Sequence, residues 1–294
     1  MALHEFAVSS TLKYGHKGTD TLEYIGLTLK NGCFERSKLY HLAKNDFEVH
    51  EGWRKEIFER WLKRICENYE AKICDFSEAG TIYTPTYRMI LQLRNFFSME
   101  TAEKLISEEF PDVPSDITDK CIRCMKALKE GLGMQESPLM QVGIELDADM
   151  KFKSFKYYLC VEKTKHPKEN LAEAMAGFAD TAGVCSDTGR MDRLIRDVCT
   201  CWYRPTFIGV NDGAEETDAK LYFISEIFGH ALKTKPAGQT ERISEILGFD
   251  KGLTEELMTA WEQAHLYLQG LAVTFGDPSV LRLYLRELQE AYFR

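Results

Sequence analysis

A chain of 294 residues with 44% apolar and 28% charged side chains can bury a sizeable core, and its Pro and Gly content is too low for a disordered or fibrous protein. The formal net charge of −9 excludes a surface built for bulk phosphate binding on nucleic acid, though a local basic pocket remains compatible with it. Neither an N-terminal leader pattern nor an apolar run of membrane-spanning length is present, so a cytoplasmic protein with no membrane and no nucleic-acid partner is expected. Nine cysteines, an odd number spread along the chain, fit reduced thiols better than a disulfide framework.

The first strong pattern is an alternating hairpin over residues 24–43, "YIGLTLKNGCFERSKLYHLA", with Asn-Gly at its turn. "EGWRKEIFERWLKRICENYE" follows and places Trp53, Ile57, Phe58, Trp61, Leu62 and Ile65 on one helical stripe. "DKCIRCMKALKE" also reads as a helix, which makes the CxxC of Cys121 and Cys124 core filler rather than half of a zinc site; no second CxxC or paired HxxxH completes four ligands.

Further hairpins are expected at 141–161, 207–225 and 271–288. Between them lie the amphipathic stretch "GRMDRLIRDVCTCW" and a helix "LTEELMTAWEQAHLYL" for which Thr254 is the expected N-cap. The order hairpin then helices recurs four times. Lys156 to Lys220 spans 64 residues and Lys220 to Arg282 spans 62, a near-constant unit, while the 118 residues from Lys38 to Lys156 leave room for extra helices.

Period-2 alternation sorts the second strand of each hairpin into two faces. Lys38 and Tyr40 share one; Lys156 and Tyr158 oppose Phe155, Tyr157 and Leu159; Lys220 and Tyr222 oppose Ala219, Leu221 and Phe223; Arg282 and Tyr284 oppose Leu281, Leu283 and Leu285. Each hairpin has an apolar face suited to packing under helices and a face with a cation and a phenol two residues apart. The solvated face of a two-layer sheet can look like this. Its recurrence at one place in four hairpins argues for a shared role. Hairpins that closed into a barrel with helices outside would bring the cations together, and a diphosphate is the natural occupant.

The αββα order with its repeated [KR]-x-Y resembles the ABBA or PT-barrel aromatic prenyltransferases, the dimethylallyl tryptophan synthase group in particular. "GTDTLEYIGLTL" is similar to that group's first hairpin, "VGIELDADMKFKSFKYYLCV" to the second and "TDAKLYF" to the third, with Asp218 standing where the family has a basic residue. The resemblance implies an α+β fold, one domain over residues 1–294 in which αββα repeats form a closed antiparallel barrel surrounded by helices. The family has five hairpins; "HEFAVSSTLKYG" or "AKICDFSEAGTIYTPTYRM" is the expected source of the fifth.

The implied activity is transfer of a dimethylallyl or longer prenyl group from its diphosphate to an aromatic acceptor, an indole, tryptophan derivative or peptide side chain. Lys38, Lys156, Lys220, Arg282 and Arg36 would bind the diphosphate and stabilise its developing charge. Tyr40, Tyr158, Tyr222 and Tyr284 would bond the diphosphate and shield the allylic cation. Glu23 would be the catalytic group that activates the acceptor, provided that a β-bulge near Tyr24 and Ile25 turns it inward. No cofactor is required: DDxxD is missing, and although magnesium could bind Asp147 and Asp149, those two read better as turn residues. A non-catalytic protein with a cationic cavity for a phosphorylated ligand is the rival expectation, one that has no use for Glu23.

Overall fold

A computed structural model describes residues 20–43, 64–65, 67–69, 71–80, 85–93, 97–147, 149, 151–161, 171–185, 187–213, 216–225, 239–264, 266–277 and 280–287. The chain is α+β. Its strands come in five consecutive hairpins: β1 (Asp20–Lys30) with β2 (Cys33–Ala43), β3 (Ala71–Gly80) with β4 (Pro85–Leu93), β5 (Leu139–Leu146) with β6 (Phe152–Cys160), β7 (Tyr203–Gly213) with β8 (Thr217–Ser225), and β9 (Leu266–Thr274) with β10 (Val280–Glu287). Helix pairs separate them: α1 (Met99–Glu108) and α2 (Ser115–Leu132), α3 (Leu171–Ala182) and α4 (Thr188–Cys199), α5 (Gln239–Leu247) and α6 (Lys251–Ala264). Residues 64–65 and 67–69 are helical too, between the first two hairpins. The fifth hairpin is therefore residues 71–93; the alternative at 4–15 lies outside the described residues.

The sheet has ten strands in the order β2-β1-β10-β9-β8-β7-β6-β5-β4-β3. Apart from β2 and β3, strands consecutive in sequence lie side by side, and β1 pairs antiparallel with β10. β2 and β3 stand at the two ends of the order, with no pairing between them among the described residues. The chain divides into two compact units: 1–42, 190–206 and 221–294 form the first, 43–189 and 207–220 the second, so β7 and β8 each have residues in both.

In the first unit the turn of the opening hairpin is Asn31-Gly32, with φ of 52° and 77°. Two left-handed residues give a two-residue turn whose twist matches the strands it joins, which is why Asn-Gly stands there. A Cβ at Gly32 would lie 1.9 Å from the Gly248 carbonyl oxygen, and Asp250 N–H donates to the Gly32 carbonyl at 3.2 Å. Strand pairing runs without a shift from Ile25–Leu285 to Lys30–Val280. Ile25, Leu27, Leu29, Leu281, Leu283 and Leu285 are all buried, so period-2 alternation gives one strictly apolar face. On the other face Thr28 lies opposite Arg282 and Gly26 opposite Tyr284.

Two sequence expectations in this unit need correcting. The helix read through Leu268 ends at Ala264, and "LYL" opens β9; an apolar run of three or four residues carries no period long enough to tell the two apart. Asp250, not Thr254, caps this helix: its Oδ1 accepts from Leu253 N–H at 2.8 Å, and Thr254 sits inside the first turn.

In the second unit α2 carries its apolar stripe at the expected spacing, with Ile117, Cys121, Cys124, Met125, Leu128 and Leu132 buried. The stripe packs on β6, where Phe155, Tyr157 and Leu159 are fully buried. Phe110, in the connection between α1 and α2, meets Phe155 edge-on at 5.2 Å. The Ser98 hydroxyl caps α1 by accepting from Thr101 N–H at 3.1 Å.

Candidate functional site

The polar face of the second unit is built by cross-strand register. Lys156 of β6 lies opposite Gly143 of β5 and Asn211 of β7; Tyr158 lies opposite Gln141 and Gly209; Ser154 lies opposite Glu145 and Gly213. Gly143 is required here because a Cβ would sit 2.0 Å from the Met89 carbonyl oxygen of β4. Lys156 is 9% exposed, and Phe155 and Tyr157 on either side of it point into the apolar core. The residue alternation read from "FKSFKYYLC" therefore holds in space.

Lys156 is held by partners on both neighbouring strands. Its ammonium donates to the Asn211 side-chain oxygen and pairs with Glu145 at 3.0 Å, with both side chains little exposed. Glu145 also accepts from Lys153 at 3.1 Å. Burial pushes the Glu145 carboxyl up, but the charge of Lys156 and hydrogen bonds from both lysines push it down further, to about 2. Lys220, 6% exposed, donates to the carboxylate of Asp218 two residues away on the same face. Asp218 thus gives Lys220 a counter-ion. Tyr158 meets Phe207 edge-on at 5.7 Å, an aromatic pair beside the Lys156 row.

In the first unit Arg282 and Tyr284 are half-buried on the polar face of β10, and the Tyr222 and Tyr284 rings stack at 5.9 Å with planes 29° apart. A pairing irregularity falls between Tyr284 and Leu285, where β9 carries the extra residue Gln269, buried with its side-chain oxygen unpartnered among the described residues. Arg36 is exposed. The side chains of Glu23, Lys38 and Tyr40 lie outside the described residues, as does the pairing of Tyr24 that the expected bulge concerns.

Glu145, Asn211 and Lys153 are site residues that sequence reasoning missed. The signal for Glu145 is present in the sequence: in "VGIEL" period 2 puts it on one face with Gly143 and opposite Val142, Ile144 and Leu146.

The opposite, helix-covered face holds a second polar cluster. Asp212, fully buried, accepts from Lys120 of α2 at 2.7 Å and from Thr217 at 2.8 Å, and Lys120 also donates to Thr217 at 2.9 Å. Cys121 and Cys124 lie beside this cluster with Tyr157. Burial first, then the neighbouring Cys124 and Asp212, raise the Cys121 thiol well above its usual range. Burial raises Cys124 to about 11, although the nearby Tyr157 hydroxyl works against it. Protonated, inaccessible thiols of this kind are poor nucleophiles and poor metal ligands. Asp147 is a turn residue: its Oδ1 accepts from Asp149 N–H and Lys151 N–H, both at 2.9 Å. Among the described residues no group of three or more His, Cys, Asp or Glu is placed to hold a metal ion. No described helix is long and apolar enough to cross a membrane.

The face can act on an anion through ammonium groups embedded in a low-dielectric strand surface, with aromatic rings beside them. No family profile matches the chain, and no curated protein matches it in sequence.

Proposed function

We propose that the protein is an aromatic prenyltransferase of the PT-barrel kind, a single cytoplasmic domain over residues 1–294 that moves a dimethylallyl or longer prenyl group from its diphosphate to an aromatic acceptor, an indole or tryptophan derivative for preference. The observation that carries this reading is the strand order. Among the described residues ten strands form five consecutive hairpins, helix pairs separate the last four of them, consecutive strands other than β2 and β3 lie side by side, and β1 pairs with β10. In this order a β2–β3 pairing is the one step that a closed barrel would still need, and it is in this sense that the strand order supports the barrel. The repeated cation and phenol then face its lumen.

In the mechanism, Lys156 and Lys220, with Arg282, Lys38 and Arg36, neutralise charge as the carbon–oxygen bond of the prenyl diphosphate breaks and diphosphate departs. Tyr158, Tyr222, Tyr284 and Tyr40 present ring faces to the allylic cation and exclude water that would otherwise capture it. The aromatic carbon of the acceptor attacks, and its ring gives up a proton to the departed diphosphate, which restores aromaticity. Glu23 orients and activates the acceptor through its N–H or O–H. The cationic lining does the work that a metal-clamped diphosphate site does elsewhere, and magnesium is not essential.

The test is a kinetic split between two variants assayed with dimethylallyl diphosphate and a competent acceptor. Lys156→Ala weakens diphosphate binding, whereas Glu23→Gln depresses turnover more than diphosphate affinity. Small and equal effects of both substitutions would show that these residues are ordinary strand faces.

A further inference from the structure

The helix-covered face of the first unit carries a cleft of about 170 Å³ that the prenyl-transfer chemistry leaves unused. Its floor is apolar: Leu194 of α4, Ile246 and Leu247 at the end of α5, and Leu281 of β10. Arg190, Arg193 and Asp197 of α4 complete the lining, and all three are exposed. An apolar cavity of about 150 Å³ holds a benzene ring, so this cleft has room for a side chain of leucine or phenylalanine size.

Arg193 and Asp197 stand one helical turn apart on the same wall, yet neither the guanidinium nor the carboxylate has a hydrogen-bond or ion-pair partner among the described residues. The helix explains why. An acid four residues before a base pairs better than the reverse order. Asp192 and Arg196, in the favoured order on the same helix, pair at 2.5 Å, whereas Arg193 precedes Asp197. A ligand can therefore draw on both charges without breaking an existing pair.

The lining narrows the class of ligand. A simple anion at Arg193 would face Asp197, and a simple cation at Asp197 would face two arginines. A neutral hydrocarbon on the floor would strip water from these charges and give them no partner. A zwitterion with an apolar side chain answers all three groups: its carboxylate suits the fork of Arg193, its ammonium suits Asp197, and its side chain covers the floor. The last residues of α5 line the cleft, and the negative pole of a helix favours an ammonium near it. We propose that the cleft between α4, α5 and β10 binds a free apolar α-amino acid of leucine or phenylalanine size, with Arg193 holding the carboxylate and Asp197 the ammonium. The site lies on the opposite face of β10 from Arg282 and Tyr284, and it does not depend on the prenyltransferase reading.

L-leucine, N-acetyl-L-leucine, L-leucinamide and glycine are titrated into the folded wild-type protein, Asp197→Asn and Arg193→Gln, with binding followed by calorimetry or NMR shifts. The wild type should bind L-leucine with a dissociation constant of about 1 mM and each of the other three about tenfold more weakly. Asp197→Asn should weaken L-leucine by about tenfold and leave N-acetyl-L-leucine, which has no ammonium, unchanged or tighter. Arg193→Gln should weaken L-leucine by a similar factor and leave L-leucinamide, which has no carboxylate, unchanged or tighter. Both positions are exposed, so neither substitution threatens the fold. That selective pattern is one that leucine bound elsewhere on the protein would not give. Absence of saturable L-leucine binding, equal affinity for L-leucine and its N-acetyl form, or one L-leucine affinity shared by all three proteins overturns the proposal.

Discussion

Replacing Lys120 by Met should cost far more stability than replacing its partner Asp212 by Asn. Asp212 is fully buried, while the Lys120 side chain is 25% exposed and bonds both Asp212 and Thr217. Without Lys120, a buried carboxylate keeps only the Thr217 hydroxyl at 2.8 Å, and its second oxygen has no partner among the described residues. Removing one member of a buried pair and stranding the other charge costs about 3 to 5 kcal/mol. With Asp212→Asn the ammonium can turn to water and the amide can still bond Thr217, so about 1 to 2 kcal/mol is expected, the range of a lost charged hydrogen bond. Urea denaturation measures both; a loss of about 3 kcal/mol moves the midpoint by about 1 M at a slope of about 3 kcal/mol/M. The double variant should fall near Asp212→Asn alone, because the stranded charge is then gone. Equal losses below about 1 kcal/mol for the two single variants would refute the reasoning.

Glu145 makes stability depend on acid. Its folded carboxyl titrates at about 2 against an ordinary 4.5, so its stabilisation is complete above about pH 4.5 and is lost as pH falls through 2. The shift corresponds to about 3 kcal/mol, reduced to about 2 by solvent screening, and Glu145→Gln should lack that part of the acid titration of stability. Thiol labelling reads burial directly. Iodoacetamide should modify the exposed Cys33 and Cys185 in the native protein, and Cys121 and Cys124 only after unfolding, as peptide mapping will show.

Much of this fold is legible in the sequence because strands obey a period of two. "FKSFKYYLC" alone separates Lys156 and Tyr158 from Phe155, Tyr157 and Leu159, and it is these three apolar side chains that are fully buried. The hairpin at 71–93 is harder to recognise: "AKICDFSEAG" mixes an aspartate, a glutamate, a serine, two alanines and a glycine into a strand, and its pairing with β4 carries a register shift between Ile73 and Asp75. The site's ion pairs are a different matter. Alternation assigns Glu145 and Lys156 to one face, but only the register between β5 and β6, shifted near Glu145 and Leu146, decides that they meet. Lys120 and Asp212 are 92 residues apart and joined through helix packing that no local pattern encodes.

The most direct test of the account is to incubate the protein with dimethylallyl diphosphate and a panel of tryptophan, tyrosine and small indoles, following acceptor mass and diphosphate release. The account predicts that at least one acceptor gains one prenyl unit, with one diphosphate released per transfer. Absence of diphosphate release with every acceptor and with longer prenyl diphosphates would contradict it.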